Sequence, residues 1–314
     1  MSAHRLAVTL GDPRGIGPEI VPKALLNIQV NNAQSPIILV GPEGRDPEVG
    51  PYESVGVFDG SETSAGVVSA LAIERAVSLA LDGSVSGIVT GPIHKPALRA
   101  AGYSDPGHTE MLQRLTGASE VGMLMAAEET TVGGPLRVLL ATTHVALRSV
   151  PDLVNLEVLV TQTTLLNRAL ENDWGIPTPQ IGLCALNPHA SDRGLFGDEE
   201  ARVFLPAVER LQEDGVDVQG PPPADTVFGR ALRGEFDAVV APYHDVGMAA
   251  FKTATFGRGV NVTLGLPFVR TSPDHGTAFD LVGTGRADPS SMEEAIRLAT
   301  RIAQTRFDTL PAQD

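Results

Sequence analysis

Three histidines close three apolar runs, and imidazoles so placed can hold a divalent cation. The runs are residues 136–141 (LRVLLA), 181–186 (IGLCAL) and 236–241 (FDAVVA), followed by Thr-Thr-His144, Asn-Pro-His189 and Pro-Tyr-His244. Short apolar runs bounded by turn-forming residues predict buried strands. In a parallel α/β sheet, ligands gather at the carboxyl ends of the strands. The histidines lie 45 and then 55 residues apart, so the rings can meet only through the fold. That is a weaker signal than a metal motif carried on one helix or knuckle. Taken singly, each histidine reads equally as the partner in a local hydrogen bond. Asp245, directly after His244, and Asp225 are carboxylates able to orient an imidazole or take up a proton.

A second set of residues suits an anion. Lys252, Asn261 and Arg270 are cationic or amide donors beside apolar strand residues. Lysine supplies a compact charge and arginine a two-pronged grip on phosphate or carboxylate. Read alone, each is an ordinary surface group; clustered behind His244, they point to an anion pocket. His108 and Thr109 open a helix in Gly-His-Thr-Glu and can hold a substrate, with a plain helix cap at Thr109 as the other reading. The turn Gly11-Asp12-Pro13-Arg14-Gly15-Ile16-Gly17 joins a strand to a helix and offers backbone N–H groups to an anion. It lacks the spacing of a dinucleotide fingerprint, and a simple tight turn is the alternative. Between Asp274 and Gly283, His275 and Gly276 suit a loop around a planar ligand, and Asp280 or Asp288 can accept a ribose hydroxyl. His275 is a possible rival metal ligand, assigned to cofactor because it follows no strand end.

The elements that must position these groups alternate. Strands are predicted at residues 5–10, 37–40, 55–58 and 87–90, and helices at about 17–26, 65–81, 151–172, 198–214 and 290–307. Residues 121–126 and 136–141 flank an acidic, glycine-rich tip and predict antiparallel pairing. Asp198, Glu199 and Glu200 read as first-turn carboxylates complementing a helix dipole, not as metal ligands. The last helix is expected to return to the first lobe.

The chain has 314 residues, 42% of them apolar, enough for two domains or one large α/β unit. Its net charge, 23 − 38 = −15, disfavours nucleic acid and anionic membranes as partners, while a few local cations still permit a small anionic substrate. Cys184, the sole cysteine, lies in an apolar strand and reads as an inert core thiol. With neither an extended apolar leader nor a long uninterrupted apolar stretch, a cytoplasmic enzyme is expected.

The segments GDPRGIGPEI, GHTE (107–110), ATTH ending at His144, NPHA around His189, PYHD around His244, and GRGVNVTLGLPFVRTSPDHGTAFD together resemble the 4-hydroxythreonine-4-phosphate dehydrogenase family of vitamin B6 biosynthesis and its sugar-acid-phosphate relatives, over nearly the whole length. The resemblance implies an isocitrate and isopropylmalate dehydrogenase-like α/β fold, two α/β/α lobes with a central cleft. The first lobe is placed at about 1–125 with 285–314, and the second, carrying metal and dimer-interface elements, at about 126–284. It implies a homodimer with a metal site shared between subunits, metal ligands His144, His189 and His244, and substrate contacts from His108, Thr109, Lys252, Asn261 and Arg270. By the same comparison NAD or NADP is held by Gly11, Asp12, Gly15, His275, Gly276, Thr277, Ala278, Asp280 and Asp288. One divalent cation per site, Zn, Mg, Co, Mn or Ni, completes the set.

The chain departs from the usual pattern at His244-Asp245-Val246-Gly247, where relatives carry HDQG, and after His189, where Ser-Asp-Arg-Gly-Leu-Phe-Gly is closer to the threonate or erythronate 4-phosphate paralogues. The expected reaction is oxidation of 4-phosphooxy-L-threonine to a 3-oxo acid that loses CO2 to give 3-amino-2-oxopropyl phosphate, a step of pyridoxal phosphate biosynthesis. The alternatives are D-threonate or D-erythronate 4-phosphate dehydrogenase, a dihydrodiol dehydrogenase that would leave the phosphate-binding cations without a use, and a catalytically silent phosphometabolite-binding protein.

Overall fold

The computed structural model describes residues 4–30 and 36–308, which fall into two compact units, 1–121 with 265–314, and 122–264. In the first unit, strands β1 (Leu6–Thr9), β2 (Ile37–Gly41), β3 (Tyr52–Ser54), β4 (Gly87–Thr90) and β11 (Val269–Pro273) form an all-parallel sheet in the order β3-β2-β1-β4-β11. β1 and β4 are buried at every position, the pattern of a parallel sheet covered on both faces. Its helices are α1 (Gly17–Val30), α2 (Glu62–Leu81), α3 (Lys95–Ala100), α4 (His108–Thr116) and α10 (Ser290–Asp308). A core of Ile38, Val40, Ile73, Val77, Ile88, Leu98, Met111, Leu112 and Phe268 binds α2, α3 and α4 to the sheet. α2 has the length and hydropathy of a membrane span, but 56% of its apolar window lies inside the fold.

The second unit contains β5 (Gly122–Ala127), β6 (Leu136–Leu140), β7 (Ile181–Leu183), β8 (Val218–Gln219), β9 (Ala238–Ala241) and β10 (Val260–Leu264) in the order β10-β5-β6-β9-β7-β8. β10, β5 and β6 pair antiparallel, as the glycine-rich tip between β5 and β6 predicts, and the remaining pairs are parallel. The helices are α5 (Val150–Leu153), α6 (Leu156–Trp174), α7 (Leu205–Glu213), α8 (Ala224–Leu232) and α9 (His244–Thr255). Buried Met125, Val138, Leu140, Val227, Phe236, Val239 and Phe251 form the core that α8 and α9 cover.

Several expectations shift. The strand expected at 55–58 lies at Tyr52–Ser54, where Leu39 N–H reaches the Pro51 carbonyl and β2 continues the pairing. The helix expected at 151–172 is two helices: Val154 is extended, and Asn155 restarts the chain as an N-cap, its side chain accepting from Val158 N–H at 3.0 Å. The helix expected at 198–214 opens with a π-helical turn at Glu200–Phe204. Residues 265–284, expected in the second lobe, belong to the first unit, because β11 pairs with β4 and α10 packs on β11, β4 and α1. Cys184 is buried, donates weakly to the Ala185 carbonyl, and burial pushes its thiol pKa up to about 12, so it carries no thiolate at neutral pH.

Removing the Asn155 cap tests the break between α5 and α6. Asn155→Ala is expected to cost about 1 kcal/mol, read as a lowered urea midpoint at unchanged slope.

Candidate active site

In the second unit the site begins with neighbouring strands that end together. β6 and β9 are parallel with Leu140 opposite Ala241. Past their ends Ala141 N–H donates to the Ala241 carbonyl at 2.9 Å, and the Thr142 hydroxyl to the Pro242 carbonyl at 2.7 Å. Those bonds hold the two exit loops side by side and bring the His144 and His244 rings to 5.5 Å between centroids, tilted by 45°. His244 is the first residue of α9, and its Nδ1 lies 2.7 Å from Asp245 Oδ1. A carboxylate on Nδ1 fixes the ring and the tautomer, leaving Nε2 as the lone-pair donor. That donor set fits a divalent metal. His144 and His244 are the two that one chain brings together; among the described residues no group of three His, Cys, Asp or Glu side chains could hold a metal ion.

His189 comes from the other side of β9, since β7 pairs with it and Cys184 N–H continues the ladder to the Val240 carbonyl. Its loop is strained. His189, Ala190, Ser191, Asp192 and Arg193 all have φ between 44° and 69°, in the left-handed region. For residues with a Cβ this costs about 1–2 kcal/mol each. Glu200 helps hold the turn: its buried carboxylate accepts from Leu186 N–H at 2.9 Å and Asn187 N–H at 2.7 Å, while the Asn187 amide also donates to Glu199 at 2.7 Å. Ser191 bonds the Gly197 carbonyl across the loop. Glu199 and Glu200 therefore brace the histidine loop, a role the helix-dipole reading missed; the signal was Asn187, a short amide that needs partners. Strain maintained this way is characteristic of functional loops.

Lys252 is exposed in the last turn of α9, and Asn261 on β10 has its side-chain oxygen buried without a hydrogen-bond partner. Asp225 is exposed in the first turn of α8, where a carboxylate complements the helix dipole.

The first unit carries two further constellations. In one, Arg270 lies almost wholly buried on β11 and donates to the Thr90 hydroxyl at 2.7 Å, and its burial brings the guanidinium pKa down to about 10. His108 opens α4 behind Gly107, which supplies no side-chain cap, and Thr109 follows it in the same first turn. The His108 Nε2 is buried with no hydrogen-bond partner. Burial, then the charges of Arg270 and Lys95, hold the His108 pKa well below 6.5. A neutral histidine, buried positive charge and open helix N–H groups have the chemistry that suits an anion.

The other joins the opening turn to the loop after β11. Ile16 N–H donates to the Thr277 carbonyl at 3.0 Å, Gly15 lies so close to Thr277 that a Cβ would come within 2.9 Å of it, and Gly283 N–H donates to Glu19 at 2.7 Å. Gly11, with φ +76°, passes so near the Pro92 carbonyl that a side chain has no room. These glycines thus serve close backbone packing. Asp12, fully buried, is taken up by Arg14: Nη2 to Oδ2 at 2.8 Å, Nε to Oδ1 at 3.1 Å. Arg14 then lies 5.4 Å over the Phe279 ring, with His94 edge-on to the same ring at 5.0 Å. Arg14, His94 and Phe279 were not singled out from sequence.

The His275 Nδ1 lies 3.0 Å from the Gly276 carbonyl, while its Nε2 is buried with no partner, an acceptor open to a ligand. Gly276 is exposed, Ala278 takes a left-handed conformation, and Asp280 is exposed in the 3-10 turn Phe279–Leu281, so the loop presents polar groups outward. This fits a nucleotide. Asp288 has a local role, accepting from Ser290 N–H and hydroxyl at 2.9 and 2.6 Å to start α10.

A solved isocitrate dehydrogenase from Methylococcus capsulatus, at 13% identity and TM-score 0.57 over 96% of this chain and 86% of that one, shares the fold, which places the chain in the isocitrate dehydrogenase-like α/β class. The model of the pyridoxal phosphate biosynthetic protein PdxA family matches residues 19–299, and the chain belongs to that family. It is 40% identical to a 4-hydroxythreonine-4-phosphate dehydrogenase of Paracoccus denitrificans, over 97% of this chain and 99% of the relative. To a D-threonate 4-phosphate dehydrogenase of Cupriavidus necator it is 41% identical, over 96% and 98%. A crystal structure of 4-hydroxythreonine-4-phosphate dehydrogenase from Klebsiella pneumoniae matches with TM-score 0.83 at 39% identity, covering 96% of this chain and all of that one.

Two outcomes are expected. Asp245→Asn, which removes the carboxylate that orients His244, should weaken divalent-metal affinity about 10–100-fold in a competitive chelator titration. Folding keeps His108 neutral, so below 6.5 the unfolded chain binds the extra proton and the native state does not. Stability should therefore fall as pH drops through and below 6.5, and His108→Asn should flatten that slope in urea titrations across pH.

Proposed function

We propose that this protein is a nicotinamide- and divalent-metal-dependent dehydrogenase that oxidises 4-phosphooxy-L-threonine at its secondary alcohol. The product, a 3-oxo acid, loses CO2 to give 3-amino-2-oxopropyl phosphate for pyridoxal phosphate biosynthesis. The observation that carries the reading is the His144–His244 pair, with Asp245 engaging the His244 Nδ1 and leaving its Nε2 as the metal-binding nitrogen, in a chain of this family.

Roles follow from the chemistry of each group. His144, His189 and His244 are the metal ligands, and a second copy of the chain completes the set. Exposed apolar residues close to the histidines in sequence, Val145 and Leu147 after His144 and Leu195 and Phe196 after His189, support such a homodimer. When bound, the cation, Zn, Mg, Co, Mn or Ni, polarises the substrate hydroxyl, and NAD or NADP accepts the hydride. His108, Thr109, Lys252, Asn261 and Arg270 bind substrate, with the phosphoryl group as a non-reacting handle that orients the reacting carbon. Asp245, or Asp225, takes the hydroxyl proton. Gly11, Asp12, Gly15 and the loop His275, Gly276, Thr277, Ala278 and Asp280, with Asp288 behind it, form the cofactor side, where Gly11, Asp12, Gly15 and Asp288 act by shaping the backbone.

The loop Ser191–Phe196 favours one second reading, oxidation of D-threonate or D-erythronate 4-phosphate. A panel of the three phosphorylated acids, followed by NADH absorbance, decides between them. The expected result is the highest kcat/KM with 4-phosphooxy-L-threonine, lost in excess chelator, and a fall of at least about 100-fold for His189→Ala. Full turnover by His189→Ala in chelator would overturn the metal assignment.

A further inference from the structure

The constellation at the start of α4 holds a cation without an assigned role. Lys95 is the first residue of α3, at the end of a helix where a positive charge is disfavoured. Its side chain also lies across the start of α4: a Cβ at Gly107 would come 3.4 Å from Lys95 Cε and 3.8 Å from Nζ. That is a second helix N-terminus, carrying open N–H groups because Gly107 cannot cap it. The side chain is exposed, and among the described residues it forms no ion pair. Glu110 is the carboxylate nearby, its Oε2 3.3 Å from the same hypothetical Cβ, but it makes no salt bridge to Lys95. Together with buried Arg270, Lys95 sets a net positive field around His108, whose Nε2 has no partner. Two cations, the open N–H groups that begin α4 and an unpaired imidazole gain nothing from one another. An anion among them would stabilise their juxtaposition.

We propose that Lys95 is a further substrate-binding residue, the second cation beside Arg270 in a subsite at the start of α4 that holds the substrate's phosphoryl group. The assignment rests on the reading of the protein as a dehydrogenase of a 4-phosphorylated hydroxy acid. A phosphoryl dianion matches two positive side chains and helix N–H groups better than a single-charged carboxylate does. Lysine contributes as a mobile point charge, arginine as the fixed fork.

The test uses the metal-loaded enzyme and its Lys95→Ala and Lys95→Arg variants. Steady-state kinetics are run with each phosphorylated acid and its dephosphorylated form, alongside inorganic phosphate binding by calorimetry and NADH binding by fluorescence. Lys95→Ala should raise KM for the phosphorylated acid about tenfold or more and weaken inorganic phosphate similarly. kcat should stay within about twofold, NADH affinity and melting temperature should not move, and Lys95→Arg should recover most of the loss. A KM and a phosphate affinity both within about twofold of wild type would overturn the proposal, as would an equal rise in KM for the dephosphorylated acid. If the wild type turns over none of the acids, the functional reading fails, and the phosphate titration alone then decides the role of Lys95.

Discussion

The pairing of β11 with β4 is the constraint on which the first unit depends. Val269 lies opposite Gly87 and Arg270 opposite Ile88, and Gly87 is needed there because a Cβ would press to within 2.8 Å of Val269. The register puts Arg270 within reach of Thr90, where burial removes water from the guanidinium and makes a ligand anion its natural complement. It also directs the chain leaving β11 onto the opening turn, where Thr277 receives Ile16 and Phe279 receives Arg14. A one-residue slip would turn Arg270 to the other face and pull the loop from its seat.

In the second unit the corresponding constraint is the common end of β6, β9 and β7. Parallel neighbours leave a sheet on the same edge, so the loops after them become neighbours without any sequence proximity. Hydrogen bonds just past the strands, from Ala141 and Thr142, carry that alignment as far as His144 and His244. The His189 loop reaches its position by a different means, a left-handed turn braced by two carboxylates.

Much of this was legible in the amino-acid sequence. Buried parallel strands such as GIVT at 87–90 are apolar throughout and flanked by turn residues, and the structure places β4 on those residues. The break at Val154–Asn155 was hidden because apolar residues continue on either side of it; only the capping preference of asparagine marked it. The segment 265–284 was misplaced because composition carries no record of which sheet a strand joins. At the site, histidines and cations declared themselves by type. Arg14, His94, Glu200 and Lys95 did not, since each takes its meaning from a partner distant in sequence or from a helix end that becomes a neighbour only on folding. Asp12 and Asp288 looked like ligand groups by type, and their carboxylates bond Arg14 and Ser290.

The first unit is discontinuous, its sheet completed by a strand made after the entire second unit. At the usual pace of translation, about 5–20 residues per second, β4 waits on the order of ten seconds or more for its partner. Throughout that interval the nascent protein displays an apolar parallel edge, the kind of template on which stray chains pair. The order of synthesis thus makes the newborn chain's dependence on shielding, by the ribosome surface or a holdase, a property of its topology, and one that no stabilising substitution in the finished molecule would remove.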